Sequence, residues 1–343
     1  MKKYVCVIAI LTGLPSFGFQ FPNPEFVKHN KDKKLIVVLK DMDDLKEVEL
    51  AADIRENFAY TVETYNTGVK DLFPKNWKAS TGEVIFMTRA EMGSLTDDDY
   101  KNSLFLVSYY KSIKDPLGRE LDMYHWNVLF FDQKLKRQNY FYLIYEADQI
   151  IDSADIIFFI QQANNNVSAA LNGLTEYKEI IDLEKTVEII SQKTLLIEQG
   201  LTTSTKEELI NKYTGKLEIT STKEIDNAIM TNNEDILYIK MIYGLGAGGF
   251  GLYGLFDASN GQIIGVASSG GFKVYIAVGE KKHFLSRVEN AGIISYEYTL
   301  NMNRYMGSRE IWSIYKSKID FKEVHLNVLM GTAQKMNFKF LDS

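Results

Sequence analysis

The chain has 343 residues, 45% of them hydrophobic, with a formal net charge of −6 and one cysteine, Cys6. That length and apolar share are ample for more than one hydrophobic core. A lone cysteine excludes an internal disulfide, its place inside the expected signal leaves the mature chain no cysteine to ligate a metal, and an acidic chain without a long basic run argues against nucleic acid as a partner.

Residues 1–18 carry the pattern of a secretory signal. Lys2 and Lys3 form a positive start, residues 4–14 are uncharged and mostly apolar, Pro15 breaks the run, and Ser16-Phe17-Gly18 places small residues where a signal peptidase cuts. The run is shorter than the roughly 20 residues that span a bilayer, so no transmembrane segment is expected after cleavage. Cys6 stands too early to become the first residue of a lipoprotein. Losing Lys2 and Lys3 moves the net charge from −6 to −8. The expected location is the periplasm or cell envelope, without a lipid anchor.

Residues 19–32, with Pro22 and Pro24, read as an extended lead. Two related stretches follow. Residues 83–109 and 216–242 share one pattern: an apolar run, a Ser or Thr three residues before a Glu, a short helical segment, a polar turn and a second apolar run. The echo extends upstream, with 33–41 matching 192–200. It also extends downstream, where Phe131-Asp132 falls over Phe256-Asp257. The chain therefore divides into a first unit at 33–173, a helical connector at 174–192, a second unit at 193–292 and a β-rich tail at 293–343.

In the first unit, the continuous apolar centre Leu35-Ile36-Val37-Val38-Leu39 predicts a strand buried on both faces. Residues 43–60 read as a helix. Residues 61–82 read as irregular or as a broken helix, because of Gly68 and Pro74, with Trp77 packing them down. Thr88 and Glu91, Ser221 and Glu224, and Ser204 and Glu207 are capping-box pairs. Residues 153–172 predict a long helix ended by Gly173. The second unit is expected to close on a matching helix at 281–291. The tail alternates as strands at 293–300, 310–317, 323–330 and 337–341. Each unit thus reads β-α-β-α-β-β-β-α. The fold class is α/β with α+β character: two duplicated sandwich units with mixed or antiparallel sheets, helices mainly on one face, and a C-terminal β tail.

Few residues suggest chemistry. Gly244, Gly246 and Gly249 satisfy G-x-G-x-x-G, but the following text reads as strand rather than the phosphate-binding helix of a dinucleotide site. Asp41, Asp43 and Asp44, and Asp97-Asp98-Asp99, lack the sixth-position glycine of a calcium loop. They read as solvated turns or helix starts. His29, His125, His283 and His325 have no ligand spacing. The S-x-x-K matches at Ser108 and Ser313 lie in strand text, and the near-match to G-x-S-x-G at 265–270 lacks its helix. The Asn166-Val-Ser168 sequon falls inside a helix, and Asp152 reads as a helix cap. No catalytic, cofactor or metal residue is assigned, and no cofactor is expected.

Two aromatic segments are the candidate partner contacts. Tyr124, His125 and Trp126 stand in a strand half of whose side chains face outward, an arrangement that suits a sugar or a protein partner; core packing is the competing reading. Phe250, Leu252 and Tyr253 belong to an uncharged Gly/aromatic hairpin turning at Asn260-Gly261. Alternation there predicts every second residue buried, and the segment 244–271 reads as a buried hairpin or as a loop contacting a membrane surface or partner.

In its lysine- and asparagine-rich composition and short signal, the whole chain resembles exported proteins of Bacteroidota. That resemblance implies export and carries over no activity and no site residue. The expected function is a non-catalytic exported cell-envelope protein that binds or scaffolds a partner, an envelope protein or a glycan. The alternative is a periplasmic enzyme or small-ligand binder with its site in the cleft between the units.

Overall fold

The computed structural model describes residues 22–41, 52–114, 120–146, 151–174, 183–202, 205–210, 215–243, 251–268, 282–288, 293–300 and 312–316. Helix α1 (Pro24–Asn30) opens them in place of the extended lead expected at 19–32, with Pro24 in its first turn and capped by Asn23, whose side chain accepts from the Glu25 N–H. Strand β1 (Lys34–Val38) follows, with Leu35, Ile36 and Val37 fully buried. Both of its faces are covered, as its unbroken apolar run requires.

Helix α2 (Ala52–Asn76) then runs for 25 residues without interruption, which overturns the broken segment expected at 61–82. Pro74 falls in the last turn. Gly68 marks a close approach: a Cβ there would sit 2.5 Å from Ile156 Cδ1. Trp77 does pack the segment down, stacking on Phe73 at 5.6 Å.

Strand β2 (Val84–Met87) leads into α3 (Arg89–Met92), where Thr88 and Glu91 form the expected capping box. A second box, Thr96 with Asp99, starts α4 (Asp97–Lys101), so the acidic run there is a helix start. Strands β3 (Ser103–Lys114), β4 (Glu120–Phe131) and β5 (Arg137–Glu146) form an antiparallel meander. Helix α5 (Ser153–Leu171) is capped by Asp152 and ends before Gly173, whose φ of +81° suits glycine.

The elements that follow are α6 (Leu183–Gln192), β6 (Thr194–Glu198), α7 (Lys206–Ile210), β7 (Lys216–Thr220), α8 (Thr222–Met230), β8 (Ile236–Tyr243), β9 (Gly251–Asp257) and β10 (Ile263–Ser268). The strand orders are β2-β1-β3-β4-β5 and β7-β6-β8-β9-β10. In both sets the first three strands are parallel and the last two antiparallel. Thr88 and Ser221 each follow the second strand of their set. Ser221 holds the N-cap position of α8, yet its side chain makes no capping bond. Thr88→Ala is therefore expected to cost about 1 kcal/mol and Ser221→Ala a few tenths at most. Urea midpoints at unchanged slope measure both, and equal losses would contradict the assignment.

Strand β5, the edge of the first set, pairs with the end of β8, the central strand of the second, and this makes one mixed sheet of ten strands. Helices cover both faces, not mainly one. Right-handed crossovers explain this: the connection from β1 to β2 and the return from β2 across β1 to β3 must lie on opposite faces. On one face α1, α2, α5 and α8 share a core with Leu35, Val37, Trp126, Leu196 and Tyr238. On the other, Met92 and Leu95 beside α4 pack on Ile36 and Phe105, and α6 and α7 pack Ile190 and Leu209 on Leu195 and Leu237.

Strands β11 (Lys282–Val288), β12 (Ile293–Leu300) and β13 (Trp312–Lys316) form a separate antiparallel sheet. The closing helix expected at 281–291 is thus β11. Its pairing with the alternating β12 outweighs a helical pattern only a few turns long. The secretory signal, the Gly244–Gly249 pattern, Ser204, Phe250 and the strands expected at 323–330 and 337–341 lie outside the described residues.

Candidate functional site

Strand β8 runs antiparallel to β5, so the two parallel trios point in opposite directions. The joint is made only by the last residues of each strand, Ile144 with Tyr243 and Tyr145 with Ile242. The carboxyl ends of the two trios therefore face each other. The edge of β8 is shared: β6 covers Ile236, Leu237 and Tyr238, and β5 covers Ile242 and Tyr243. Lys240 stands at the fork between them. Crevices at the carboxyl ends of parallel strands, where neighbours diverge, are the usual ligand positions of open α/β sheets.

The floor of the fork is a row of polar residues in an apolar sheet. Glu198 is paired in register with Thr220. Two residues past the Leu196–Tyr238 pair, the adjoining strands reach Glu198 and Lys240. Leu196 and Tyr238 belong to the core under α5, and strand alternation puts Glu198 and Lys240 on that same face. Above them lie the first turn of α5, with Asp152 and Asp155, and the half-buried Asp226 of α8.

Lys240 donates to Asp155 Oδ1 at 2.8 Å, and the two side chains are only 20% and 14% exposed. The ammonium also lies 4.6 Å from the Tyr145 ring centre and 4.9 Å from that of Phe158. Burial acts to lower the lysine pKa, but the charge and hydrogen bond of Asp155, backed by Asp226 and Asp152, outweigh it and hold the pKa above the ordinary value. Asp152 accepts from the Asp155 N–H at 2.9 Å as the cap of α5. Burial, then the neighbouring Asp155, pushes its carboxyl up. Glu198 accepts from the Thr222 hydroxyl at 2.8 Å.

Asp226 differs from these. It has no hydrogen bond or ion pair among the described residues. Burial first, then the charge of Asp152, pushes its carboxyl up to about 7; Lys240 pulls the other way, while Asp155 and Glu198 add to the rise. Two buried hydroxyls on the same face also have no partner among the described residues: Thr220 Oγ1 and the Tyr238 phenol. The fork thus holds one closed ion pair, one open carboxyl and two open hydroxyls. Groups of this kind, with shifted pKa values, collect at functional sites.

An aromatic wall runs from the fork into the first set. Trp126 Nε1 donates to the Tyr145 hydroxyl at 3.2 Å, and the Tyr124 hydroxyl donates to Ser108 Oγ at 3.2 Å. Lys40 lies 4.7 Å and 4.8 Å from the ring centres of Tyr65 and Tyr124. Its backbone is held on both sides by the Asn66 amide, which accepts from the Lys40 N–H at 3.0 Å and donates to its carbonyl at 2.9 Å. Burial keeps the Tyr65, Tyr124 and Tyr145 phenols protonated.

Of the residues singled out in the sequence as partner contacts, Tyr124, Trp126 and Tyr253 are fully buried, so they present no surface to a partner in this fold. For Tyr124 and Trp126 the reason is packing under α5, where Trp126 stacks on Phe159 at 4.6 Å; Tyr253 is buried in the core of the opposite face, with Leu237 and Leu255. His125 lies on the opposite face of β4 and is half-buried. Leu252 pairs with Ile242 in β9, but its side chain lies outside the described residues. The hairpin is not buried at alternate residues. Tyr253, Leu255 and Phe256 are all buried, because the sheet is covered on both faces. Its turn is as expected, with Gly261 at φ +67°. Asp257 closes the turn by accepting from the Ser259 N–H and hydroxyl and pairs with Lys193.

A shallow depression of about 200 Å³ lies along the C-terminal half of α5. Its amides are occupied in joining the halves: Gln162 donates to the Gly261 carbonyl at 2.6 Å and Asn165 to that of Asn260 at 3.1 Å. Asn166, the sequon asparagine, is 4% exposed and donates to the Gln162 carbonyl, so the folded chain offers it poorly to a glycosyl transfer. Asp155, Asp226, Glu198 and Lys240 were not singled out in the sequence. One signal existed: Lys240 is the lone charge in the apolar strand Ile-Leu-Tyr-Ile-Lys-Met-Ile-Tyr, and a lysine buried in a sheet must be paired.

No family model, no curated protein and no solved structure matches this chain. Among the described residues no helix is long and apolar enough to cross a membrane, and no three acidic, histidine or cysteine side chains are grouped to hold a metal ion.

Proposed function

We propose that this chain is an exported, non-catalytic binding protein of the cell envelope, and that its ligand enters where the carboxyl ends of the two strand sets face each other. Export is supported by the positive start, apolar run and small-residue site of residues 1–18. An internal duplication belongs to the same proposal and is supported by the shared strand order and sense of the two sets. A binding surface made of Tyr124, Trp126 and Tyr253 has no support, since those rings are core.

One observation carries the site: among the described residues Asp226 makes no hydrogen bond or ion pair, and its half-buried carboxyl lies beside Asp152 and Lys240. An unpaired acid in such a place lowers stability, and proteins retain such groups where binding uses them. The same carboxyl near neutrality favours a second reading, an acid–base enzyme at the same fork.

The experiment compares thermal unfolding of the mature chain with and without the dialysable fraction of an envelope extract. The binding reading expects a higher midpoint for the wild type and none for Asp226→Asn. No midpoint change in the wild type, or the same change in both proteins, would overturn it. Turnover of a component of the fraction that stops in Asp226→Asn would favour the enzyme reading. Full-length chain recovered from the cytosol with residues 1–18 still attached would remove the exported part.

A further inference from the structure

We propose that the fork binds a small molecule through a protonated primary amine, with the Asp226 carboxylate as counter-charge and the Thr220 hydroxyl as a second acceptor. This rests on the binding reading above and names the chemistry of its ligand.

The charge balance sets the sign of the ligand. Among the described residues Asp152, Asp155 and Asp226 stand around one cation, Lys240, and Glu198 lies within electrostatic range. Lys240 is already committed to Asp155 at 2.8 Å. An anion would enter against uncompensated carboxylates, whereas a cation would relieve their repulsion. The available groups set its type. Among the described residues no set of three ligands is arranged for a metal ion. What remains open among the described residues is a carboxylate and two buried hydroxyls, the Tyr238 phenol and the Thr220 hydroxyl, the latter 7% exposed. The carboxylate and the Thr220 hydroxyl accept hydrogen bonds, and an ammonium group brings three donors and no acceptor.

The position of Thr220 is the independent support. In β7, Leu217 and Ile219 pack into the core on the far face, so Thr220 alternates onto the face of α5 and α8. There it stands in register with Glu198 at the carboxyl end of the trio. A buried hydroxyl without a partner loses its hydration and gains nothing from the protein. A bound ammonium would satisfy it.

Binding should depend on pH through Asp226. The charged groups facing it are Asp152 and Asp155 from α5, Lys240 from β8 and Glu198 from β6. With its carboxyl ionising near 7 and the amine protonated throughout, affinity is expected to be roughly tenfold higher at pH 8 than at pH 6.

The test is calorimetric titration of the mature chain with 1,4-diaminobutane and with ethylamine, at constant ionic strength, at pH 6 and pH 8. Tetramethylammonium, which has no N–H donor, and magnesium serve as comparison ions. The expected result is binding of the primary amines, tighter at pH 8, absent in Asp226→Asn and weakened about fivefold in Thr220→Val. Equal binding of tetramethylammonium would reduce the effect to charge screening and overturn the proposal, and so would unchanged amine binding in Asp226→Asn. Magnesium binding in place of the amines would assign the fork to a metal. If the amines fail while the extract fraction still stabilises the wild type through Asp226, the amine inference falls and the binding reading stands. If both fail, both fall.

Discussion

Replacing Lys240 with methionine is expected to cost about 3–5 kcal/mol of folding stability near neutral pH, the range for removing one partner of a buried ion pair. Methionine keeps most of the volume and the apolar stem, so packing against Tyr145 and Phe158 is largely preserved. What disappears is, among the described residues, the only cation beside Asp152, Asp155 and Asp226. The Asp155 carboxylate, 14% exposed, then has no counter-charge. Two further results follow from the same cause. The loss should shrink at low pH, where the carboxyls are protonated and need no partner. The double replacement Lys240→Met with Asp155→Leu should recover much of the loss, because an apolar pair can fill the space of a buried ion pair. Urea unfolding at unchanged slope reads all three. A loss below about 1 kcal/mol for Lys240→Met would mean that the pair is effectively solvated, as exposed pairs are.

Trp126→Ala should be comparably damaging, at about 3–5 kcal/mol. The indole is fully buried. It stacks on Phe159 at 4.6 Å and lies 5.3 Å and 5.8 Å from the rings of Tyr124 and Tyr65. Removing it opens a cavity and strips the Tyr145 hydroxyl of its donor. Trp126→Phe separates these effects: it keeps a ring for stacking and loses mainly the hydrogen bond, for about 1–2 kcal/mol. If Trp126→Ala left the urea midpoint nearly unchanged and impaired only association with an envelope component, the residue would be a surface contact and the packing under α5 would be wrong.

Parts of the fold were legible because their causes are local. The run Leu35 to Leu39 could only be a doubly covered strand. Thr88 with Glu91, Asp152 and Gly173 each mark a helix end through their own side chain or φ angle, and Asn260-Gly261 marks its turn. The misreadings arose where a distant partner decides. Gly68 looked like a breaker and is the place where Ile156 of α5 comes close. Residues 282–288 look helical until β12 pairs with them. Tyr124 and Trp126 alternate like a half-exposed strand, but that rule assumes one solvated face, and helices cover both. The fork was hidden for the same reason. Lys240 and Asp155 are 85 positions apart, and what brings them together is the pairing of β5 with β8, which no local pattern encodes. Lys240 itself is visible in the sequence as a lone charge in an apolar strand.

The pH dependence of stability tests directly whether Asp226, which has no partner among the described residues, is held unpaired at the fork. Its carboxyl ionises near 7 in the folded chain against an ordinary value of 3.8, so between those limits the folded state binds more protons than the unfolded one. Stability from this group is therefore present below about pH 4 and is lost as pH rises through 7. Because Asp226 is only half-buried, the loss is reduced by solvent screening to on the order of 1–2 kcal/mol. Asp226→Asn removes the titration without changing the shape. Measured by urea unfolding from pH 4 to pH 8, the variant is expected to match the wild type at pH 4 and to exceed it by about 1–2 kcal/mol at pH 8. A variant that is less stable than the wild type at pH 8 would show that the carboxylate already has a partner in the folded chain, and would contradict its being held unpaired.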